Sequence, residues 1–178
     1  MIHTLKTDCY PGNRRRPLKL DLRGISLDNE DLSGLDLSGY DLSFAHMNRV
    51  NFTKSNLSYA VLHGASLAKA ILDECEFIGA DLSHAGLNEC SAKMSGFGGA
   101  NLSHASMINA DLSDSVLSRS TLTAADLRAS NLTRARLSEA DLSGAVFTRA
   151  NLENSDLKHS NVENTNFELA NMQGCRLL

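Results

Sequence analysis

The sequence contains no tryptophan, only two prolines and three tyrosines, and aromatic residues make up 5% of its 178 positions. A core built without large irregular side chains has to be assembled from small regular pieces, which favours a repetitive interior. No run approaches the roughly 20 apolar residues of a membrane span, and the first turns of the chain lack the apolar core of a secretory signal. A cytoplasmic setting is therefore expected. A strong charge of either sign is missing as well: the net charge of −4 argues against direct nucleic-acid binding or adhesion to anionic membrane. The four cysteines, Cys9, Cys75, Cys90 and Cys175, show neither CxxC spacing nor a histidine at metal-ligand spacing, so they read as free thiols. No Ser-His-Asp pattern, cleft-forming carboxylate pair or phosphate-cradling glycine loop is evident. No metal, cofactor or enzymatic activity is expected.

What is present is a period of five. From Leu22 to Leu177 every fifth residue is apolar: of 32 such centres, 22 are Leu, five Phe, three Met, one Val and one Ala, without a slip in register. Two positions before each centre, 26 of 32 residues are Ala, Ser, Thr or Cys, and the bulkier exceptions all precede residue 51: Leu20, Ile25, Glu30, Leu35, Tyr40 and Val50. Asp or Asn stands between the two series at 17 of 32 places, and Ser or Thr follows the centre at 14. The consensus is A(D/N)LSx.

A five-residue period fits neither a 3.6-residue helix nor a two-residue strand. It does fit a closed coil in which each unit forms one side: the large residue fills the middle, and the small one lets the backbone turn a corner. Asp, Asn and Ser suit such a corner because their side chains bond nearby backbone amides.

Segments such as Ala80-Asp81-Leu82-Ser83, Ala100-Asn101-Leu102-Ser103 and Ala140-Asp141-Leu142-Ser143 match the motif of the pentapeptide-repeat family, which the chain resembles over residues 20–178. The resemblance implies an all-β fold, a right-handed quadrilateral β-helix with four units per coil and about eight coils, roughly 38 Å long at the usual strand spacing. Residues 1–19 are expected to form a non-repeating lead-in and cap. Stepping by 20 sorts the centres into four columns. One stacks Phe77 on Phe97, another Phe147 on Phe167, and a third contains Ala92, the expected weak point, with Phe97 and Met94 as compensators. Cys75, Cys90 and Cys175 fall on the small inward position. The chain stops one residue after its last centre, so either the final coil associates end to end with a partner or the chain is a piece of a longer protein.

Function then belongs to outward positions that depart from the repeat. Asp21, Asp41, Asp81 and Asp141 form a stripe that either closes corners or attracts a basic partner. His84 and His104 stack one coil apart with His63 nearby, a surface group rather than a metal site. Arg119, Arg128, Arg134, Arg136 and Arg149, with Glu139 among them, could form a docking patch for an acidic partner, and the basic run Arg14–Arg16 could meet an anionic one. Val61, Ile71, Ile78, Met94 and Ile108 are expected to cluster as the preferred interaction region. Two functions compete. One is a non-enzymatic protein-interaction scaffold, as in bacterial effectors delivered into host cells. The other is a DNA mimic that binds DNA gyrase in the manner of toxin- or quinolone-protection proteins.

Overall fold

The computed structural model describes residues 21–177. The expected cap over 1–19, the Arg14–Arg16 run, Cys9 and Leu20 lie outside the described residues. From Asp21 onward each unit repeats the same course: a bridging residue, an inward centre, and a two-residue turn. Parallel bridges join each bridging residue to the one 20 positions later, from Asp21 with Asp41 to Asp156 with Arg176. The chain is thus a four-sided parallel β-helix whose sides, faces 1 to 4, begin at Asp21, Ser26, Asp31 and Asp36 and recur every 20 residues.

The backbone hydrogen bonds explain why the unit reads A(D/N)LSx. In Asp81–Ala85, the amide of Asp81 donates down to Ala60, and those of Leu82 and His84 donate up to Asn101 and Ser103. Ala85 closes the turn by donating to Leu82 at 3.1 Å. Four of five amides are thereby satisfied by backbone. The fifth, on Ser83 just after the centre, donates to Oδ1 of Asp81 at 3.0 Å. The same bond recurs from Thr53 to Asn51, Ser103 to Asn101, Thr133 to Asn131 and Ser143 to Asp141. Asp or Asn before the centre is therefore the acceptor for the one amide that the coil cannot satisfy. A second solution moves the acceptor past the centre and down one coil: Asn48 donates to Asp28, Lys93 to Asp73 and Ile108 to Asn88.

The last turn residue has a left-handed φ at all 31 corners from Gly24 to Gly174; 23 of these residues are not glycine, with φ between 54° and 63°. Each such residue pays a steric cost of roughly 1–2 kcal/mol, which the inter-coil ladder on both sides offsets. A positive φ at the third turn residue is what a type II turn requires. It aims the corner side chain outward.

Inside, the centres from Leu22 to Leu157 are buried. Phe77 and Phe97 stack at 4.8 Å with rings 2° apart, and Phe147 and Phe167 stack at 5.3 Å. The small inward positions are buried too, and hydroxyls there donate to carbonyls one turn away: Ser95 Oγ to Leu72 O at 2.6 Å, Ser55 Oγ to Leu32 O at 2.8 Å. Cys75 and Cys90 lie in these positions, and burial pushes both thiols up to about 12. Leu35, Tyr40 and Val50 are accommodated at small inward positions of three different columns without exposure. Ala92 is fully buried, but Met94 does not compensate for it: at a left-handed corner its side chain is 59% exposed, which leaves only Phe97 of the two on the inside. Toward the end of the chain burial weakens, with Val162 and Leu177 exposed and Phe167 and Met172 partly buried.

Candidate interaction surface

The carboxylate stripe is engaged by the fold. Asp41, Asp81 and Asp141 each accept their own unit's fifth amide, and Asn101 and Asn161 donate from one coil above to Asp81 and Asp141 at 3.1 Å. These bonds hold the Asp141 carboxyl below its ordinary value, the largest contribution coming from the Ser143 amide. Asp21 is lowered to about 2, first by the Arg23 side chain, which also reaches Asp41. Where Asn follows Asp one coil up, at Asp81 and Asn101 and at Asp141 and Asn161, the carboxamide donates to the carboxylate beneath it.

The arginines are dispersed and mostly paired. Arg119 donates to Glu139 at 3.0 Å along the corner between faces 4 and 1, and Arg134 donates to Asp114 at 2.7 Å along the corner between faces 3 and 4. On face 2 Arg128 pairs with Asp126 at 2.6 Å. Lys54 with Glu74 and Lys69 with Glu89 repeat the axial corner pattern. All are solvent-exposed pairs, so they set surface charge more than stability. Arg136 on face 4 and Arg149 at the corner between faces 2 and 3 are exposed and have no such partner.

His84 and His104 occupy one corner and stack at 4.8 Å, His63 packs edge-on against His84 at 5.4 Å, and Phe44 packs against His63 at 5.3 Å. His63 Nδ1 is 2.9 Å from Ser83 Oγ. Among the described residues no group of three histidines, cysteines or carboxylates could hold a metal ion.

The five apolar residues lie within three successive coils but not on one face. Val61 bridges on face 1, Ile71 on face 3, and Ile108 follows a centre of face 2. Only Ile78 and Met94 meet. They line a groove of about 610 Å³ on face 4, together with Glu76, Val116, Ser118 and Arg119. Its floor is the rung Gly96-Phe97-Gly98-Gly99, where every outward position is glycine. A Cβ at Gly96 or Gly99 would meet nothing within 4 Å, and at Gly98 only the Ser118 carbonyl at 3.9 Å. With that layer of side chains missing, the walls at Ile78 and Ser118 stand two rungs apart, about 9.6 Å.

Sequence reasoning missed two exposed aromatics, Phe44 and Tyr59, 58% and 69% exposed. Each ring lies over a corner glycine of the next coil, Phe44 over Gly64 and Tyr59 over Gly79, where a Cβ would come within 2.7–2.8 Å of the ring. The signal was legible as an aromatic followed 20 positions later by glycine. Among the described residues no helix is long and apolar enough to cross a membrane.

The sequence profile described as "Pentapeptide repeats (8 copies)" matches residues 20–54, 36–73, 55–91, 97–134 and 135–174. Among solved structures, full-length QnrB1, a plasmid-mediated fluoroquinolone resistance protein, is 19% identical over 87% of this chain and 92% of its own, with a TM-score of 0.54. HetL, a pentapeptide repeat protein involved in heterocyst differentiation regulation in the cyanobacterium Nostoc, is 26% identical over 85% and 89% of the two chains, with a TM-score of 0.40. A pentapeptide repeat protein of the Arabidopsis thaliana thylakoid lumen is 28% identical over 69% and 68%, also at 0.40. No curated protein matches the chain.

Proposed function

The chain belongs to the pentapeptide-repeat family, whose members form right-handed quadrilateral β-helices, and from that premise we propose that it is a non-enzymatic scaffold, a rod of about eight coils that holds a protein partner on its outside. The observation that carries this reading is the contrast between faces. The interior is filled, and the Asp and Asn rows of faces 1 and 3 are engaged in capping their own coils. Face 4 instead carries an apolar groove, Ile78 and Met94 exposed at its edge. Catalysis draws on convergent polar groups in an enclosed pocket, whereas this groove is open and its surface is mostly apolar. An effector acting inside a host cell would use such a rod in the same way.

A photo-crosslinking residue placed at Met94 and, as a control on the opposite face, at Ile108 tests the reading in the native cell. A discrete protein adduct from position 94 and none from 108 is expected; no adduct from any face would end the scaffold proposal.

A second reading, a DNA mimic directed at DNA gyrase, draws on carboxylates spaced one coil apart and on the fold shared with a fluoroquinolone resistance protein. The ion pairs weigh against it, since Arg119, Arg128 and Arg134 neutralise their acidic neighbours. A supercoiling assay separates the two: protection or inhibition of gyrase by added protein would favour the mimic.

A further inference from the structure

The fifth amide of each unit, the one after the centre, requires an acceptor from Asp or Asn. On face 4 that acceptor is missing four times in succession: the places before the centre hold Glu76, Gly96, Val116 and Arg136. The amides of Ile78, Gly98, Ser118 and Ser138 accordingly have no partner within the chain, whereas those of Ser38, Ser58 and Lys158 on the same face are capped by Asp36, Asn56 and Asp156. Among the described residues this is the longest such run. The turn around Gly98 is otherwise unchanged, with Ala100 donating to Phe97 at 3.0 Å. The Gly98 amide therefore points where the side-chain oxygen of an Asp or Asn at position 96 would stand. With glycine there, that place is the open floor of the groove.

We propose that the face-4 groove binds an extended partner segment bearing an aspartate beside a bulky apolar side chain. The aspartate supplies in trans the acceptor that the repeat elsewhere supplies in cis. Its carboxylate accepts from Gly98 and, one rung up, from Ser118, an arrangement of successive backbone donors suited to an anion. The apolar side chain rests on Ile78, Met94 and Val116. Arg136, without an ion-pair partner two rungs above Gly96, favours an acidic segment, and Arg119 at the rim is already held by Glu139. Glu76, with Glu74 beside it held by Lys54, is the opposing charge at the lower wall and sets direction, turning the acidic end of the segment toward Arg136. Strand addition is not the mode here, because the backbone groups used in the ladder are occupied; recognition comes from side chains that enter the groove.

The inference rests on the scaffold reading, but its test does not require the natural partner. The probe is the blocked peptide acetyl-Gly-Leu-Asp-Leu-Gly-amide, with a Lys-for-Asp version as control, titrated into the uniformly ¹⁵N-labelled chain. Downfield movement of the Gly98 and Ser118 amide protons is expected, with a Kd of about 1 mM, the strength of a few contacts, and at least tenfold weaker binding of the Lys peptide. Gly98→Pro removes the donor at a turn position whose φ suits proline and whose amide the fold does not use. It should keep the circular dichroism and melting temperature and lose the response, whereas Gly98→Ala should retain it. Equal shifts from both peptides, shifts elsewhere on the rod, or an unaltered response in Gly98→Pro would overturn the proposal. A position-94 adduct in cells without a Gly98 response would sink this inference and leave the scaffold reading standing.

Discussion

Replacing Gly96 with Asn should stabilise the protein. The backbone amide of Gly96 keeps its bond to Cys75 O at 2.9 Å, and a Cβ there meets nothing within 4 Å, so the side chain enters open space. Its oxygen would take the Gly98 amide in the geometry that Asn101 gives Ser103, at 3.1 Å. One partly exposed hydrogen bond contributes about 0.5–1.5 kcal/mol, and exchanging glycine for a residue that fits the native backbone contributes about 0.4–1 kcal/mol through the unfolded chain. The sum is about 1–2.5 kcal/mol, or roughly 2–10 °C in melting temperature for a domain of this size. Urea unfolding followed by circular dichroism measures it directly. An unchanged or lowered midpoint would refute the claim that the amide after each centre is the one the coil leaves open. The same variant should close the groove to the aspartate peptide, so stability and binding move in opposite directions.

Other consequences are as direct. Ala124→Gly and Ala129→Gly, at corners with φ of 54° and 55°, should each stabilise by about 0.5–1 kcal/mol, the reverse of their effect in a helix, because the left-handed strain removed exceeds the added chain entropy; a loss in urea midpoint would contradict this. Leu132→Ala, fully buried in a column clamped by hydrogen bonds to the coils above and below, should cost about 3–5 kcal/mol, since a laddered coil has little freedom to collapse into the cavity. Asp21, Asp114, Asp126, Glu139 and Asp141 all have folded pKa values below their ordinary ones. Their contribution is therefore complete above the unfolded value near pH 4 and is lost as pH falls through the folded values. Melting temperature should be flat from pH 5 to 8 and decline below about pH 4, and a decline beginning near pH 6 would contradict this. Cys75 and Cys90, whose thiols burial holds near 12, should resist a thiol reagent in the native state, while the partly exposed Cys175 reacts.

The interior was legible because its determinants are local and periodic. The inward position of every centre, the fourfold columns and both phenylalanine stacks follow from counting by five and by 20. The carboxylate stripe was legible as a choice between two roles, and the geometry shows its corner bonding. The surface was harder to read, for a physical reason. Axial level and face are separate coordinates: Val61, Ile71, Ile78, Met94 and Ile108 are close in the first and divided in the second. The arginines look like a patch in one dimension, yet Arg119 and Arg134 pair with acids 20 residues away in opposite directions. Met94 was read both as an outward residue and as a compensator for Ala92, and its left-handed corner, which aims the side chain outward, leaves only the first role. The groove was hidden for a different cause, being made of what Gly96, Gly98 and Gly99 omit.

The central claim is that the amide after each centre is the protein's one open valence, closed by Asp or Asn on most of the rod and left open in four successive units of face 4. Site-resolved amide hydrogen exchange tests it most directly. Ser83, Ser103, Ser113 and Ser143, capped by the preceding Asp or Asn, should exchange slowly, while Ile78, Gly98, Ser118 and Ser138 exchange near the rate of an unstructured chain. Equal protection of the two sets would contradict the account.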